Sequence, residues 1–234
     1  MKELVISKRL SKIAGYIEKG ARLADIGSDH AYLPCYAAIH GLIQSGIAGE
    51  LNEGPYLSAC ETVREFGLND KIAVRRGDGL SVIKKGEANT VVIAGMGGEL
   101  IRTILDAGKD KLTSDTVLIL QPNVAERHLR EWLDQEGWGI EKEDILEEDG
   151  HIYEILVANK QHTTASKLSN IDLLFGPFLR KEKSEIFIRK WKSERDKRLR
   201  VLRSMNKAKE PHLVDEKKAE LQNEIQLIEE VIKA

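Results

Sequence analysis

Residues 20 to 160 alternate short β-rich runs with helical patterns, and this alternation restricts the chain to a layered α/β sheet. Arg22–Gly27 reads as a strand that stops at Gly27, Gly46–Leu51 as the second and Ile72–Arg76 as the third. Thr90–Met96 and Thr116–Gln121 are continuous apolar runs, the pattern of parallel strands buried on both faces. Helical periodicity fills the intervals at Leu33–His40, Pro55–Phe66, Gly98–Ala107 and Ala125–Glu136. Trp138–Leu146 and His151–Ala158, joined by a turn-like Glu147–Gly150, predict a closing hairpin with a reversed strand at one edge. The expectation is a seven-stranded, doubly wound, Rossmann-like sheet over residues 1–160.

Composition changes after Lys160. Gln161–Asn170 is polar and rich in Ser and Thr, which predicts a linker or an ordered crossing segment, and Gly176-Pro177 punctuates the chain further on. From Phe178 to about Asn206 the pattern is helical, with Ile188, Trp191, Leu199, Leu202 and Met205 at apolar positions, until Lys209-Glu210-Pro211-His212 breaks it. A last helix carries Val214, Leu221, Ile225, Ile228 and Ile232, at alternating steps of three and four over its latter part. Two such helices predict an antiparallel hairpin, a short coiled coil, and a second domain at residues 161–234.

Charge follows the same division. Residues 1–160 hold 19 Lys and Arg against 26 Asp and Glu, whereas residues 161–234 hold 17 against 12. Arg180–Glu210 is the most basic stretch, with 13 basic and 5 acidic side chains. An acidic body with a basic appendage suits a polyanionic partner, although a solvated helical surface has the same composition. Charges at Lys2, Glu3 and Lys8 and the lack of a long apolar run argue against a secretory signal. No window approaches the ~20 apolar residues of a membrane span. Cys35 and Cys60 both fall in predicted helices, and none of the 6 histidines stands at ligand spacing with them. No disulfide framework and no metal site are therefore expected, and the chain reads as cytoplasmic.

Ligands of such sheets sit at the carboxyl ends of the strands, so the first strand-to-helix loop is the most informative. It reads Asp25-Ile26-Gly27-Ser28-Asp29-His30-Ala31-Tyr32-Leu33-Pro34. Gly27 lets the chain turn off the strand, and Pro34 suits the first turn of the following helix. A dinucleotide loop needs G-x-G-x-x-G, but Asp29 stands where the second glycine belongs and Tyr32 where the third does. A pyrophosphate would meet the Asp29 carboxylate, a like-charge contact costing on the order of 1 kcal/mol or more. S-adenosylmethionine has no phosphate and carries a sulfonium and an ammonium, so Asp25 and Asp29 favour it. Glu50 closes the second strand, 23 residues after Gly27, where a carboxylate accepts from both ribose hydroxyls. Asp78, in Arg76-Gly77-Asp78-Gly79-Leu80, is placed for the adenine amine, with Gly77 and Gly79 leaving room for the ring. Ile93-Ala94-Gly95-Met96-Gly97-Gly98 exposes backbone at the cofactor's reactive end. It lacks the Lys and Ser/Thr of a phosphate loop, and a tight strand-to-helix turn is the plain alternative for Gly97 and Gly98. Each acidic residue alone reads as a cap or a turn; three at successive strand ends read as a cofactor site.

Gln121-Pro122-Asn123 ends the fifth strand. Gln121 and Asn123 offer donors and acceptors suited to a nucleobase edge, with Asn123 as a helix N-cap the alternative. The Asn/Asp-Pro-Pro-aromatic motif that holds an amine in adenine amino-methylating enzymes is absent. A ring nitrogen such as N1 already has its lone pair and needs little beyond in-line placement.

Together, Asp25–Pro34, Gly49–Asn52, Arg76–Leu80, Ile93–Gly98 and Gln121–Asn123 resemble the bacterial TrmK family, and the similarity covers the whole chain. The resemblance implies a class I methyltransferase domain followed by a coiled-coil-like domain. It implies tRNA (adenine-N1)-methyltransferase activity on adenine 22, with S-adenosyl-L-methionine as cofactor. On that reading Asp25, Gly27, Ser28, Glu50, Leu51, Asn52, Asp78, Gly79, Ala94, Gly95 and Met96 meet the cofactor. Asp29, His30 and Asn123 serve catalysis, Asp29 by accepting from the base's amine or by stabilising the N1 cation. Tyr32 or His30 stacks on an unpaired or flipped base and Gln121 reads it, although His30 as a mere partner of Asp29 is equally open. Lys190, Lys192, Arg195, Arg198 and Arg203, with Lys197 and Arg200, meet tRNA phosphates; the opposing reading is a dimerising or purely structural hairpin. Two other functions stay open at this point: a non-catalytic S-adenosylmethionine- or RNA-binding protein, and a small-molecule methyltransferase. Nothing in the sequence identifies a general base or fixes the oligomeric state, a monomer included.

Overall fold

The structure is a computed structural model and describes residues 4–160, 167–205 and 215–233, divided into two compact units, Met1–Ser169 and Asn170–Ala234. The strands of the first unit are β1 (Ala21–Ile26), β2 (Ile43–Glu50), β3 (Ile72–Arg76), β4 (Thr90–Met96), β5 (Val117–Pro122), β6 (Gly139–Glu148) and β7 (His151–Asn159). Their order is β3-β2-β1-β4-β5-β7-β6, with β1 to β5 parallel and β7 antiparallel to both of its neighbours. The predicted reversed hairpin is thus the β6–β7 pair at the sheet edge. The helices between the strands are α2 (Tyr32–Ile39), α3 (Glu53–Glu65), α4 (Gly98–Ala107) and α5 (Glu126–Gln135), and α1 (Lys8–Ala14) precedes them all.

Alternate residues of the central strands enter opposite layers, which is why these strands are apolar throughout. Leu23, Val92 and Ile119 pack with Ile13, Leu33, Ala59 and Val63 from α1, α2 and α3. Ala24, Val91, Ile93, Leu118 and Leu120 pack on the other face with Ile101, Leu105, Leu129 and Trp132 from α4 and α5. A buried triad links α5 to the hairpin: Arg130 donates to Glu143 at 2.8 Å and to Glu154 at 2.6 Å.

Helix α1 is short, and local and long-range partners hold its start. The Ser7 hydroxyl accepts from Leu10 N–H at 3.1 Å. The Glu148 carboxylate, at the end of β6, accepts from the backbone N–H of Lys8 at 2.5 Å and of Arg9 at 3.2 Å. These bonds satisfy donors that the first turn of a helix leaves open.

The second unit contains α6 (Asn170–Phe175), α7 (Leu179–Glu182), α8 (Glu185–Met205) and α9 (Asp215–Lys233). The helical pattern expected to run on from Phe178 breaks at Lys183, whose φ of 50° lies in the left-handed region, and Ser184 caps α8 through Phe187 N–H. Phe175, Phe187 and Trp191 form an aromatic cluster, and Ile225 and Ile228 of α9 are buried. Arg198 of α8 reaches Glu224 of α9 at 2.7 Å, so the two helices pack against each other. Most of the expected linker and the expected break at Lys209–His212 lie outside the described residues.

Candidate active site

The strand order sets Asp78, Glu50, Asp25, Gly95 and Gln121 in a row along one edge of the sheet, at the ends of β3, β2, β1, β4 and β5. Gly27 leaves β1 with φ 69°, and its N–H bonds to Gly49 O at 2.9 Å. Asp29 and Ala31 follow at φ 51° and 56°. Asp tolerates that region through its short polar side chain; for Ala it costs roughly 1–2 kcal/mol, a strain of the kind that gathers at functional loops.

Asp25 is buried and accepts from the Ser28 hydroxyl at 2.5 Å. Burial pushes its carboxyl from 3.8 up to about 7, against the Ser28 hydrogen bond and Arg9, with nearby Glu50 adding to the rise. Glu50 is buried as well, and desolvation raises its pKa while the Asp29 backbone N–H bond opposes the shift. Its Oε1 is buried without a hydrogen-bond partner. An orphaned buried acceptor is expensive unless a ligand satisfies it, and a ribose hydroxyl is a donor of the kind it needs. These acceptors fit S-adenosylmethionine: one is free for a ribose hydroxyl, and a buried acid suits a cationic methionine end.

Asp78 is exposed at the start of a 3-10 turn, Gly79–Val82. The room expected beside the flanking glycines is filled by protein. A Cβ on Gly77 would lie 2.9 Å from Val82 Cγ1, and one on Gly79 3.0 Å from Ile104 Cγ2. Leu51 is exposed, and Asn52 stands at the N-cap of α3 without a side-chain capping bond. The β4–β5 register shifts between Ala94 and Met96, which makes Gly95 a bulge with φ 79°. The Met96 side chain lies across Gly27, and a Cβ on Gly98 would collide with the Ala125 carbonyl, so Gly98 answers to packing.

His30 stacks on Tyr32 with centroids 5.1 Å apart, and its Nε2 lies 3.6 Å from Asp29 Oδ1. Both readings of His30 thus have a geometric basis. Asp29 and Tyr32 are exposed beside this stack. Asn123 does not cap α5, whose N-cap position is Ala125; its amide donates to Gly95 O at 2.8 Å. Gln121 needs correction. It is fully buried, and its Oε1 accepts from Arg9 at 2.5 Å and Gly95 N–H at 3.1 Å. Its Nε2 donates to Pro122 O at 2.9 Å and Asn123 Oδ1 at 3.1 Å. With every amide group engaged, Gln121 braces the β4 and β5 ends and has no bond to offer a base.

The basic side chains of α8 divide as well. Arg198 is half-buried between Glu194 at 2.6 Å and Glu224 at 2.7 Å, so the expected phosphate role gives way to a structural one. Arg195 pairs with Asp196, and Lys190 lies over the Trp191 ring at 5.7 Å. Lys192, Arg200 and Arg203 are exposed, and the two arginines line a groove of about 600 Å³ with Arg189, Ser193, Asp196 and Leu199. Among the described residues no cluster of three His, Cys, Asp or Glu could hold a metal, and no helix is long and apolar enough to cross a membrane.

The raised Asp25 pKa predicts pH-dependent binding. A cation favours the ionised carboxylate, so affinity for S-adenosylmethionine should rise from about pH 6 to about pH 8, with a proton released. Without ligand the sign is opposite: this residue's contribution to stability is complete below 3.8 and is lost as pH rises through about 7. Calorimetry in buffers of different ionisation enthalpy reads the proton, and Asp25→Asn should flatten both dependences.

Comparison with known proteins gives concordant results. The family profile described as TrmK, tRNA (adenine(22)-N(1))-methyltransferase, matches residues 23–230. The tRNA (adenine(22)-N(1))-methyltransferase of Bacillus subtilis is 50% identical over 236 residues, covering 99% of each chain. Its fold agrees too: the crystal structure of the B. subtilis M1A22 tRNA methyltransferase TrmK superposes with a TM-score of 0.93 at 48% identity, covering 98% of this chain and 100% of that one. A Streptococcus pneumoniae relative solved in complex with S-adenosyl-L-methionine superposes with a TM-score of 0.85 at 44% identity, covering 97% and 100%.

Proposed function

The chain belongs to the TrmK family, and from that premise we infer that it methylates N1 of adenine 22 in tRNA, with S-adenosyl-L-methionine as methyl donor. The observation that carries the site assignment is the buried, unpartnered Glu50 Oε1, flanked along the sheet edge by Asp25 and Asp78. Asp25, Gly27, Ser28, Glu50, Leu51, Asn52, Asp78, Gly79, Ala94, Gly95 and Met96 form the cofactor side. Its bound cofactor supplies an electrophilic methyl group on a sulfonium.

Asp29, His30, Tyr32 and Asn123 form the side that receives the base. The exposed face of the His30–Tyr32 stack is a platform for a flipped adenine, a contact worth ~1–3 kcal/mol. N1 attacks with its own lone pair and loses no proton, so no general base is required. With cofactor bound, the N1–methyl bond would form as the methyl–sulfur bond breaks, leaving a neutral thioether and the positive charge on the adenine ring. Asp29, at the mouth, stabilises the charge in its new position or accepts from the base's amine. Gln121 acts as a positioning residue, holding Gly95 and Asn123 in place. The enzyme is assigned to the cytoplasm with its substrate.

Transfer of a labelled methyl group to tRNA tests the assignment: incorporation is expected with adenine at position 22 and absent with guanine there. Equal incorporation into both would refute it. The second unit holds the tRNA body through Lys192, Arg200 and Arg203. Changing all three to Gln in the full chain should reduce the slope of log affinity against log salt by about 2. An unchanged slope would leave the hairpin a structural element.

A further inference from the structure

Two alanines hold left-handed backbone directly before helices at the ligand edge of the sheet: Ala31 before α2 at φ 56° and Ala125 before α5 at φ 63°. An exposed apolar side chain adjoins each. Tyr32, 40% exposed, follows Ala31 and stacks with His30, and Val124, 63% exposed, precedes Ala125. The Val124 carbonyl accepts from Gly98 N–H at 2.8 Å, and its Cγ2 lies 3.7 Å from where a Gly97 Cβ would stand. These contacts tie it to the first turn of α4, where Leu100 is 53% exposed. Glu99 in that turn accepts from Arg102 at 3.0 Å and pairs with His128 of α5, so its charge is offset. Helix α2 packs on one face of the sheet, and α4 and α5 pack on the other. The aromatic stack and the aliphatic pair therefore flank the ends of β1 and β4 from opposite layers. Asn123, the neighbour of Val124, is bonded to Gly95 O and Met96 O at the end of β4.

Single apolar side chains on a surface need no explanation, but two on neighbouring turns at the mouth of a site do. N1 lies on the base-pairing edge of adenine, so the base must leave its stack before it can be methylated. Its departure uncovers the flat faces of the bases on either side, and that unstacking is costly unless another surface replaces the contact. Proteins that open a nucleic-acid stack insert aliphatic or aromatic side chains for this purpose. We propose that Val124 and Leu100 form an apolar wedge that packs on the bases flanking adenine 22 and holds the gap open while the adenine occupies the His30–Tyr32 side. This rests on the tRNA methylation proposed above. Aliphatic side chains suit the task because every base offers them the same apolar face. The left-handed turn at Ala125 keeps Val124 at the surface instead of letting it fold back into the α4–α5 layer.

Methyl transfer by the full chain is measured on two synthetic RNAs: the intact tRNA, and the same tRNA with the bases on both sides of adenine 22 removed. On the intact tRNA, Val124→Ser combined with Leu100→Ser should lower kcat/KM about tenfold. On the abasic tRNA, which has no flanking faces to cover, the same variant should come within about twofold of wild type. Val124→Ile combined with Leu100→Met preserves the apolar surface and should keep most of the rate on both. Titration calorimetry should find cofactor affinity unchanged in both variants, and circular dichroism melting checks that they are folded. An equal loss on the two RNAs overturns the wedge, because the pair would then act without regard to the flanking bases. An undiminished rate of the serine variant on intact tRNA overturns it too. So does weaker cofactor binding, which would assign the pair to the cofactor pocket. If the wild-type chain leaves the intact tRNA unmethylated, the proposed function itself fails and the wedge falls with it.

Discussion

Replacing Arg130 with alanine should lower unfolding stability by about 3–5 kcal/mol. The guanidinium is completely buried, and so, to within 1%, are the side chains of Glu143 and Glu154 that it bonds. Removing the only cation of the triad leaves two carboxylates facing each other on adjacent strands of the β6–β7 hairpin. Two buried carboxylates deprived of that guanidinium disfavour double ionisation, so folding should raise the proton affinity of at least one of them. The deficit should therefore shrink as pH falls and grow as it rises, which denaturant titrations at several pH values would resolve. Arg130 Nη1 has no hydrogen-bond partner, so even the native triad is imperfectly satisfied. A triple substitution of Arg130, Glu143 and Glu154 by apolar residues of similar volume should recover most of the loss. Alanine at position 130 with a deficit below about 1 kcal/mol would show that the triad contributes little.

Asp29→Asn should lower kcat roughly a hundredfold while cofactor affinity stays within a few-fold. The reaction moves a single positive charge from sulfur to the adenine ring without creating one, so only a group that favours its final position over its first accelerates the step. On the proposed reading Asp25 and Glu50 stand on the cofactor side. Asp29 is exposed at the mouth, where a seated base would exclude the water that now screens it. Asparagine accepts the left-handed backbone that Asp29 adopts at φ 51°, so the substitution removes charge and leaves the turn in place. Single-turnover kinetics with saturating tRNA would isolate the chemical step. Wild-type turnover in this variant would remove Asp29 from the mechanism. Glu50→Gln predicts the opposite division, weaker cofactor binding with less effect on the chemical step.

The β–α alternation was legible because it is written in neighbouring residues. Ile72–Arg76, Thr90–Met96 and Gly98–Ala107 lie where periodicity alone puts them. Asp25, Glu50 and Asp78 were legible for a related reason: strand ends in a parallel sheet share one edge, so sequence position fixes spatial position. Hydrogen-bond partners carry no such local mark. Gln121 read as a base-contacting amide, but its oxygen is taken in part by Arg9, 112 residues away in sequence. Arg198 read as a phosphate contact until Glu224 on the facing helix claimed it. Helix α1 is only 7 residues long, and the carboxylate that caps it comes from Glu148, 140 residues away from Lys8. The sequence by itself determined the doubly wound sheet, the row of acidic residues along one sheet edge and the basic character of the C-terminal helices, since each is a property of local pattern and composition. Only the tertiary structure decided which polar side chains are already engaged and which remain available to a ligand, because a side chain's free hydrogen bonds depend on groups that folding brings from far along the chain.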